Sequence, residues 1–211
     1  LGKALVREGF SIISSKDYMS RVRGGHNFSR LRICSDIPWS NLESFDILLA
    51  LNEESYYFHR KNLSPGGRII YDPDQFALPD DEDRALPVKL AELAKKHGKP
   101  VMANTVAVGA LLVLLGMKTG PVEKLLSETF VGKGDIIDQN LAALREGYSK
   151  ASAGCRDCFT LPKPLSGDGR LFIDGNQVLG MSALASGCRF LSAYPMTPST
   201  GIMNYVAAKS L

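Results

Sequence analysis

Four arginines flank a pair of glycines in the segment RVRGGHNFSRLR: Arg21 and Arg23 precede Gly24 and Gly25, and Arg30 and Arg32 follow. A spacing of two places each arginine pair on one face of a strand. A Gly-Gly turn lets backbone N–H groups approach a ligand, because no Cβ stands in the way. Guanidinium groups take phosphate and carboxylate oxygens in pairs. With His26 beside the turn, the segment is a candidate concave anion site. The same residues also describe a hairpin whose outer face is only solvated.

A second group lies in SAYPMTPSTG, residues 192–201, where Pro195 and Pro198 bracket Met196 and Thr197. A residue before proline is pushed out of the α region, so Thr197 is expected to be extended. Pro198 suits the first position of a helix formed by PSTGIMNYVAAKS, which makes Thr197 its N-cap. There the hydroxyl and the free N–H groups of the first turn would converge on one point. The helix dipole favours an anion at that point by about 0.3–1 kcal/mol, and a carboxylate fits. An ordinary N-cap hydroxyl turned onto its own helix is worth about 1 kcal/mol, and local chemistry does not choose between the two.

Other candidates carry less chemistry. CRDC, Cys155 to Cys158, is half of a zinc or redox site; Cys34 and Cys188 are distant in sequence and have no histidine at ligand spacing. A redox CxxC should open a helix directly after a strand, whereas this one sits in a linker. No metal-ligand set results. His26, His59 and His97 are scattered, without a G-x-S-x-G elbow to pair with. A complete phosphate-binding loop of the Walker or G-x-G-x-x-G type is absent.

These residues belong to a chain of 211 residues, 45% hydrophobic and 22% charged, with a net charge of +3. That is enough for a substantial core, and too little basic excess to argue for nucleic acid. Four cysteines without an N-terminal hydrophobic leader point to a reducing cytoplasm rather than a disulfide framework. The longest apolar stretch, Val101 to Met117, is interrupted by Asn104, Thr105 and glycines. It falls short of the roughly 20 residues of a membrane span, and reads as a strand followed by a buried helix.

The elements that must position the candidates follow from hydrophobic period. LGKALVREGF reads as the last turns of an amphipathic helix ended by Gly9, with chain expected before it. Short β-rich runs follow: FSIISS, RLRICS (30–35), FDILLALN (45–52), GGRIIYDPD (66–74) and KPVMAN (99–104). Helical patterns, NEESYYFHRKNL and LPVKLAELAKKHG, lie between several of them. The alternation predicts an α/β layered sheet with largely parallel pairing. TVAVGALLVLLG, PVEKLLSETFV and DIIDQNLAALREGY then predict three helices in succession. Residues 149–170, rich in Ser, Gly, Pro and charge, read as a linker. Beyond it a new domain opens, with a strand or turn at LFI, a helix at Gln177–Ser186, a strand CRFLSAY and a final helix.

DGNQVLGMSALASGCRFLSAYPMTPST resembles the opening of the α-type domain of 2-oxoacid:ferredoxin oxidoreductases, whose signature runs G-N-x-A, G-C, Y-P-I-T-P-S-T. YMSRVRGGHNFSRLRI, FDILLALNEE, LSPGGRIIYDPD, ANTVAVGALLVLLG and NLAALREGY resemble, in order, segments of the family's γ-type domain. The order γ then α is similar to the fused α subunit of the 2-oxoglutarate and pyruvate types. The resemblance implies a three-layer Rossmann-like γ-type domain at 1–148, the linker at 149–170, and at 171–211 the first part of a thiamine-enzyme, pyrimidine-binding-type α/β domain. The γ-type domain's glycine-rich turn is expected upstream of Leu1. The rest of the α-type domain, with an arginine used on the substrate carboxylate, is expected past Leu211.

The implied activity is that of an oxidoreductase subunit acting on the oxo group of a 2-oxoacid. Decarboxylation yields acyl-coenzyme A, and electrons pass to the iron–sulfur protein ferredoxin. By resemblance Thr197 donates to the bound 2-oxoacid as the catalytic residue, and Tyr194 and Pro195 shape the substrate wall. Thiamine diphosphate and the iron–sulfur cluster are implied in a partner β subunit, none being held by this chain alone, and coenzyme A enters as co-substrate. Arg21, Arg23, Gly24, Gly25 and His26 become candidates for its phosphates. Nucleic acid and membrane are not among the expected partners. A non-catalytic assembly module and a Rossmann-like nucleotide binder stay open as alternatives. Two departures stand out: Met196 replaces the usual Ile, a near volume-conserving swap, and Gly201 replaces a common glutamate.

Overall fold

The computed structural model describes residues 1–19, 25–154, 158–164 and 170–209. The chain divides into two compact units, Leu1–Asp168 and Gly169–Leu211.

The first unit opens with α1 (Gly2–Arg7), which Gly9 closes at φ 89°. An antiparallel hairpin follows, β1 (Ser11–Asp17) with β2 (Phe28–Cys34). Its register pairs Ser15 with Arg30 and Ile13 with Arg32, so Phe28, Arg30, Arg32 and Cys34 share one face. Ile12, Leu31 and Ile33, on the other face, pack against α1 and the helices beyond.

A parallel three-stranded sheet in the order β3 (Phe45–Ala50), β4 (Leu63–Tyr71), β5 (Ala85–Pro87) forms the centre. Period two splits its side chains between two cores. Leu48, Ala50 and Ile69 face α2 (Glu53–His59), against Tyr56. Ile47, Leu49 and Ile70 face the helical layer of α3 (Leu90–His97), α4 (Ala103–Leu114) and α6 (Gly134–Ala151). Helices thus cover both faces, which is why the strands read as apolar runs. The mixed α/β architecture expected from the alternation is present. A short α5 (Gly120–Thr129) joins α1 and α4 around Leu112, Leu115 and Val122.

α4 is buried nearly all round and crosses α6 at two glycines. A Cβ on Gly109 would run into the Leu144 carbonyl, and one on Gly147 into the Val106 carbonyl, so the two backbones touch. Helix ends are tied by side chains. Asn52 caps α2 by accepting from the Ser55 N–H at 2.8 Å. Asp72, 1% exposed at the end of β4, accepts from the Ala91 N–H of α3 at 2.8 Å.

The second unit pairs α7 (Gly175–Ala185) with α8 (Thr200–Lys209). Asp174 and Gln177 close a reciprocal capping box on α7, and Gly187 ends it at φ 85°. The helices approach through small residues. A Cβ at Gly180 would stand 2.8 Å from Tyr205, and one at Gly201 2.6 Å from the Asn176 side chain.

Three local expectations change. Residues 99–104 form no strand: Pro100–Met102 make a 3₁₀ turn that runs into α4, Pro100 fitting its start as it fits a helical first turn. CRFLSAY has no regular structure, and no described strand lies beside it to complete a ladder. The last helix begins at Thr200, not Pro198.

Candidate functional site

In the first unit the hairpin carries the arginine face. Arg21, Arg23 and Gly24 lie outside the described residues. At the base of the loop the Met19 N–H donates to Asn27 Oδ1 at 3.1 Å. Gly25 has φ 136°, and a Cβ there would stand 2.7 Å from Met19 Cγ, so glycine is required on both counts. The shared face expected for Arg30 and Arg32 is present. Arg32 Nη1 donates to the Ser40 carbonyl at 2.6 Å. A groove of about 590 Å³ continues from Arg32 along residues 33–40 to Thr160 and Pro162. The Arg30 guanidinium lies 5.3 Å from the centre of the Phe28 ring, and its buried Nε has no hydrogen-bond partner.

His26 is joined to His59, the last residue of α2, with 2.9 Å between their Nε2 atoms. Phe28 and Phe58 pack on His26, and Phe28, Phe45 and Phe58 meet His59 edge-on. His59 is 7% exposed. Burial, then the charges of His26 and Arg30, holds its imidazole below the ordinary histidine range. No described carboxylate forms an ion pair with His26, His59, Arg30 or Arg32. Sequence reasoning missed His59: the two histidines are separated by 33 positions, and only the packing of α2 on the hairpin joins them.

In the second unit Tyr194, Pro195 and Thr197 are all exposed, Tyr194 at 79%. Thr197 is not an N-cap. The Thr197–Pro198 peptide is cis, and residues 197–199 form a turn ahead of the helix. The pre-proline rule restricts the backbone of residue 197 but does not fix the isomer of the bond that follows. Ser199 occupies the place before the helix, its Oγ donating to the Met196 carbonyl at 2.7 Å. The Thr200 N–H reaches the same carbonyl at 3.1 Å. Asn176 of α7 donates to the Pro198 carbonyl at 3.0 Å and so anchors the turn. Gly201 is explained by the same contact, since a side chain there would displace Asn176.

The remaining polar clusters are structural. Tyr56 Oη donates to Glu82 at 2.9 Å, and Arg84 clamps the same carboxylate at 2.6 and 2.8 Å, fixing the loop before β5 to α2. Lys96 and His97 of α3 both engage Glu146 of α6. Among the described residues no three His, Cys, Asp or Glu side chains are gathered as for a metal. Cys158 is disulfide-bonded, and Cys34 and Cys188 are free. No described helix is long and apolar enough to cross a membrane.

This geometry has relatives. The chain is 27% identical to the α subunit of 2-oxoacid:ferredoxin oxidoreductase 2 from Aeropyrum pernix, over 99% of this chain and 40% of that protein. It is 36% identical to ketoisovalerate oxidoreductase subunit VorA from Methanothermobacter thermautotrophicus, over 70% of this chain and 31% of that protein. It therefore spans well under half the length of these relatives. Among solved structures it superposes on a 2-oxoglutarate:ferredoxin oxidoreductase from Magnetococcus marinus, with 2-oxoglutarate, coenzyme A and succinyl-CoA bound. That match has a TM-score of 0.87 and 29% identity, covering 98% of this chain and 37% of the other. In fold the chain also matches a keto/oxoacid ferredoxin oxidoreductase γ subunit from Geobacter sulfurreducens, with a TM-score of 0.58 at 24% identity, over 72% of this chain and 90% of the other. Residues 1–150 match the family described as pyruvate ferredoxin/flavodoxin oxidoreductase, and the chain belongs to that family.

Proposed function

We propose that the chain is the γ-type and early α-type part of a 2-oxoacid:ferredoxin oxidoreductase, which oxidatively decarboxylates a 2-oxoacid to its acyl-coenzyme A and passes the electrons to ferredoxin. The observation that carries this reading is the superposition, over 98% of the chain, on an oxidoreductase described with 2-oxoglutarate, coenzyme A and succinyl-CoA bound. In this reading residues 1–148 are a γ-type domain, 149–170 a linker and 171–211 the start of an α-type domain.

In this reading the turn at 194–199 is the substrate-facing element. The exposed Thr197 hydroxyl donates to the 2-oxoacid, and Tyr194 and Pro195 form the adjacent wall. Asn176 holds the turn from below, so its aim is set before substrate arrives. Arg21, Arg23, Gly24, Gly25 and His26 receive the phosphates of coenzyme A. In support, no described carboxylate forms an ion pair with Arg30 or Arg32, and Gly25 holds a positive φ next to His26.

Thiamine diphosphate supplies the carbanion chemistry, and we assign it and the iron–sulfur cluster to a partner β subunit acting with this chain in the cytoplasm. A four-iron cluster asks for four thiolates; this chain has four cysteines in all, and Cys158 is in a disulfide.

The test uses the full-length subunit assembled with its β partner. Several 2-oxoacids should each be assayed for coenzyme A-dependent reduction of ferredoxin or another low-potential acceptor. Failure of every 2-oxoacid would overturn the reading. Replacing Arg21 and Arg23 together with alanine should raise the coenzyme A concentration needed for half-maximal rate, and an unchanged requirement removes the hairpin from the coenzyme A site.

A further inference from the structure

We propose that the His26–His59 pair links anion binding at the hairpin to proton uptake: when a phosphate of coenzyme A settles against Arg30 and the two imidazoles, the pair gains one proton. The inference rests on the reading of the hairpin as the phosphate-binding element.

Two imidazoles meeting Nε2 to Nε2 at 2.9 Å need one nitrogen protonated and the other bare. That condition is met when the pair is neutral or carries a single positive charge. It fails at two charges, when both nitrogens present a proton. The pair therefore has one proton to gain without breaking.

What surrounds it decides when the proton is gained. Phe28 comes from the hairpin, Phe58 from α2 and Phe45 from β3, and together these rings shield the imidazoles. The charged group facing His59 from β2 is Arg30, whose buried Nε has no partner. On α2's own side Arg60 is turned to Tyr56, and on β3 the Asp46 carboxylate accepts from Ser64. Three groups able to be positive thus converge; Asp17, opposite Phe28 on the same face of the hairpin, forms no described ion pair with any of them. Without an anion, burial and then the charges of His26 and Arg30 disfavour the charged form of His59. A phosphate beside the group reverses the sign of that field and stabilises the imidazolium. Linkage is reciprocal, so an anion that raises proton affinity must itself bind more tightly as pH falls.

The experiment is isothermal titration of coenzyme A into the full-length subunit assembled with its β partner across about pH 6–8, each pH in two buffers of different ionisation heat. The expected result is uptake approaching one proton per coenzyme A bound, with affinity falling by up to about tenfold per pH unit as pH rises. Pantetheine, which lacks the phosphates, should give no uptake. His59→Phe preserves an aromatic ring in the nest and should abolish the uptake and flatten the pH dependence of coenzyme A affinity. His26→Gln, checked for folding alongside it by circular dichroism, should do the same. Binding without uptake in the parent chain, or uptake undiminished in the folded variants, overturns the inference and leaves the hairpin reading intact. No binding at any pH overturns the hairpin reading, and the inference with it.

Discussion

Replacing Gly109 by alanine sets two effects of known size against each other. In a free helix the change from glycine to alanine stabilises by about 1 kcal/mol. At this position a Cβ would run into the Leu144 carbonyl of α6 and stand 2.8 Å from the Tyr148 nitrogen. Neither is the end of a flexible side chain, so relief requires α4 and α6 to part by about 1 Å. A gap of that size forfeits roughly a quarter to a half of each dispersion contact across the crossing. The contacts at stake are those of Val106, Ala107, Ala110, Val113, Ala143 and Leu144, each at most 1% exposed. Overpacking of a dense core costs about 1–3 kcal/mol. Gly109→Ala is therefore expected to destabilise the first unit by about 1–3 kcal/mol, against the intrinsic preference. Urea denaturation followed by circular dichroism measures it. Gly134→Ala, where a Cβ meets nothing within 4 Å, is the control and should be neutral or slightly stabilising. A Gly109→Ala chain as stable as the parent would refute the close backbone crossing.

Other outcomes follow from single contacts. Asn176→Ala removes the donor to the Pro198 carbonyl and should lower the stability of the second unit by about 0.5–1.5 kcal/mol while loosening the 194–199 turn, detected as faster amide exchange there. Asp72→Ala strips the acceptor from the Ala91 and Asp74 N–H groups and should cost about 1–3 kcal/mol for each donor left buried, read by urea denaturation. The Glu82 carboxylate is held below the ordinary carboxylate range by the Arg84 fork, with the Tyr56 hydroxyl adding to it. A depressed folded value stabilises fully above the unfolded value, about pH 4.3, and the benefit is lost as pH falls through the folded value. Glu82→Gln should therefore cost stability at neutral pH and flatten the acid side of the stability curve; an unaltered acid slope would reject the coupling.

The sheet and the helical layer were legible because burial leaves its period in the chain. Ile69 and Ile70 enter opposite cores, so β4 reads as an unbroken apolar run, and α3 ends on Lys95, Lys96, His97 and Gly98 as a helix should. The local rules failed where a partner decides the outcome. CRFLSAY has the composition of a strand but no described strand beside it, and the start of α8 is set by Ser199 and the Asn176 anchor rather than by Pro198. Arg30 and Arg32 could be placed on one face from spacing alone, since a strand's period is strict. His59 could not be found that way: nothing in EESYYFH distinguishes its last residue from an ordinary helix-ending histidine until the hairpin packs against it.

The central claim is that the turn anchored by Asn176 presents Thr197 to a 2-oxoacid. Thr197→Val, nearly isosteric, tests it in the assembled oxidoreductase. Loss of one hydrogen bond to a charged substrate, about 1.5–3 kcal/mol, should lower kcat/KM for the 2-oxoacid by about 10- to 100-fold with the fold unchanged. A variant that turns over its 2-oxoacid with undiminished kcat/KM would contradict the account.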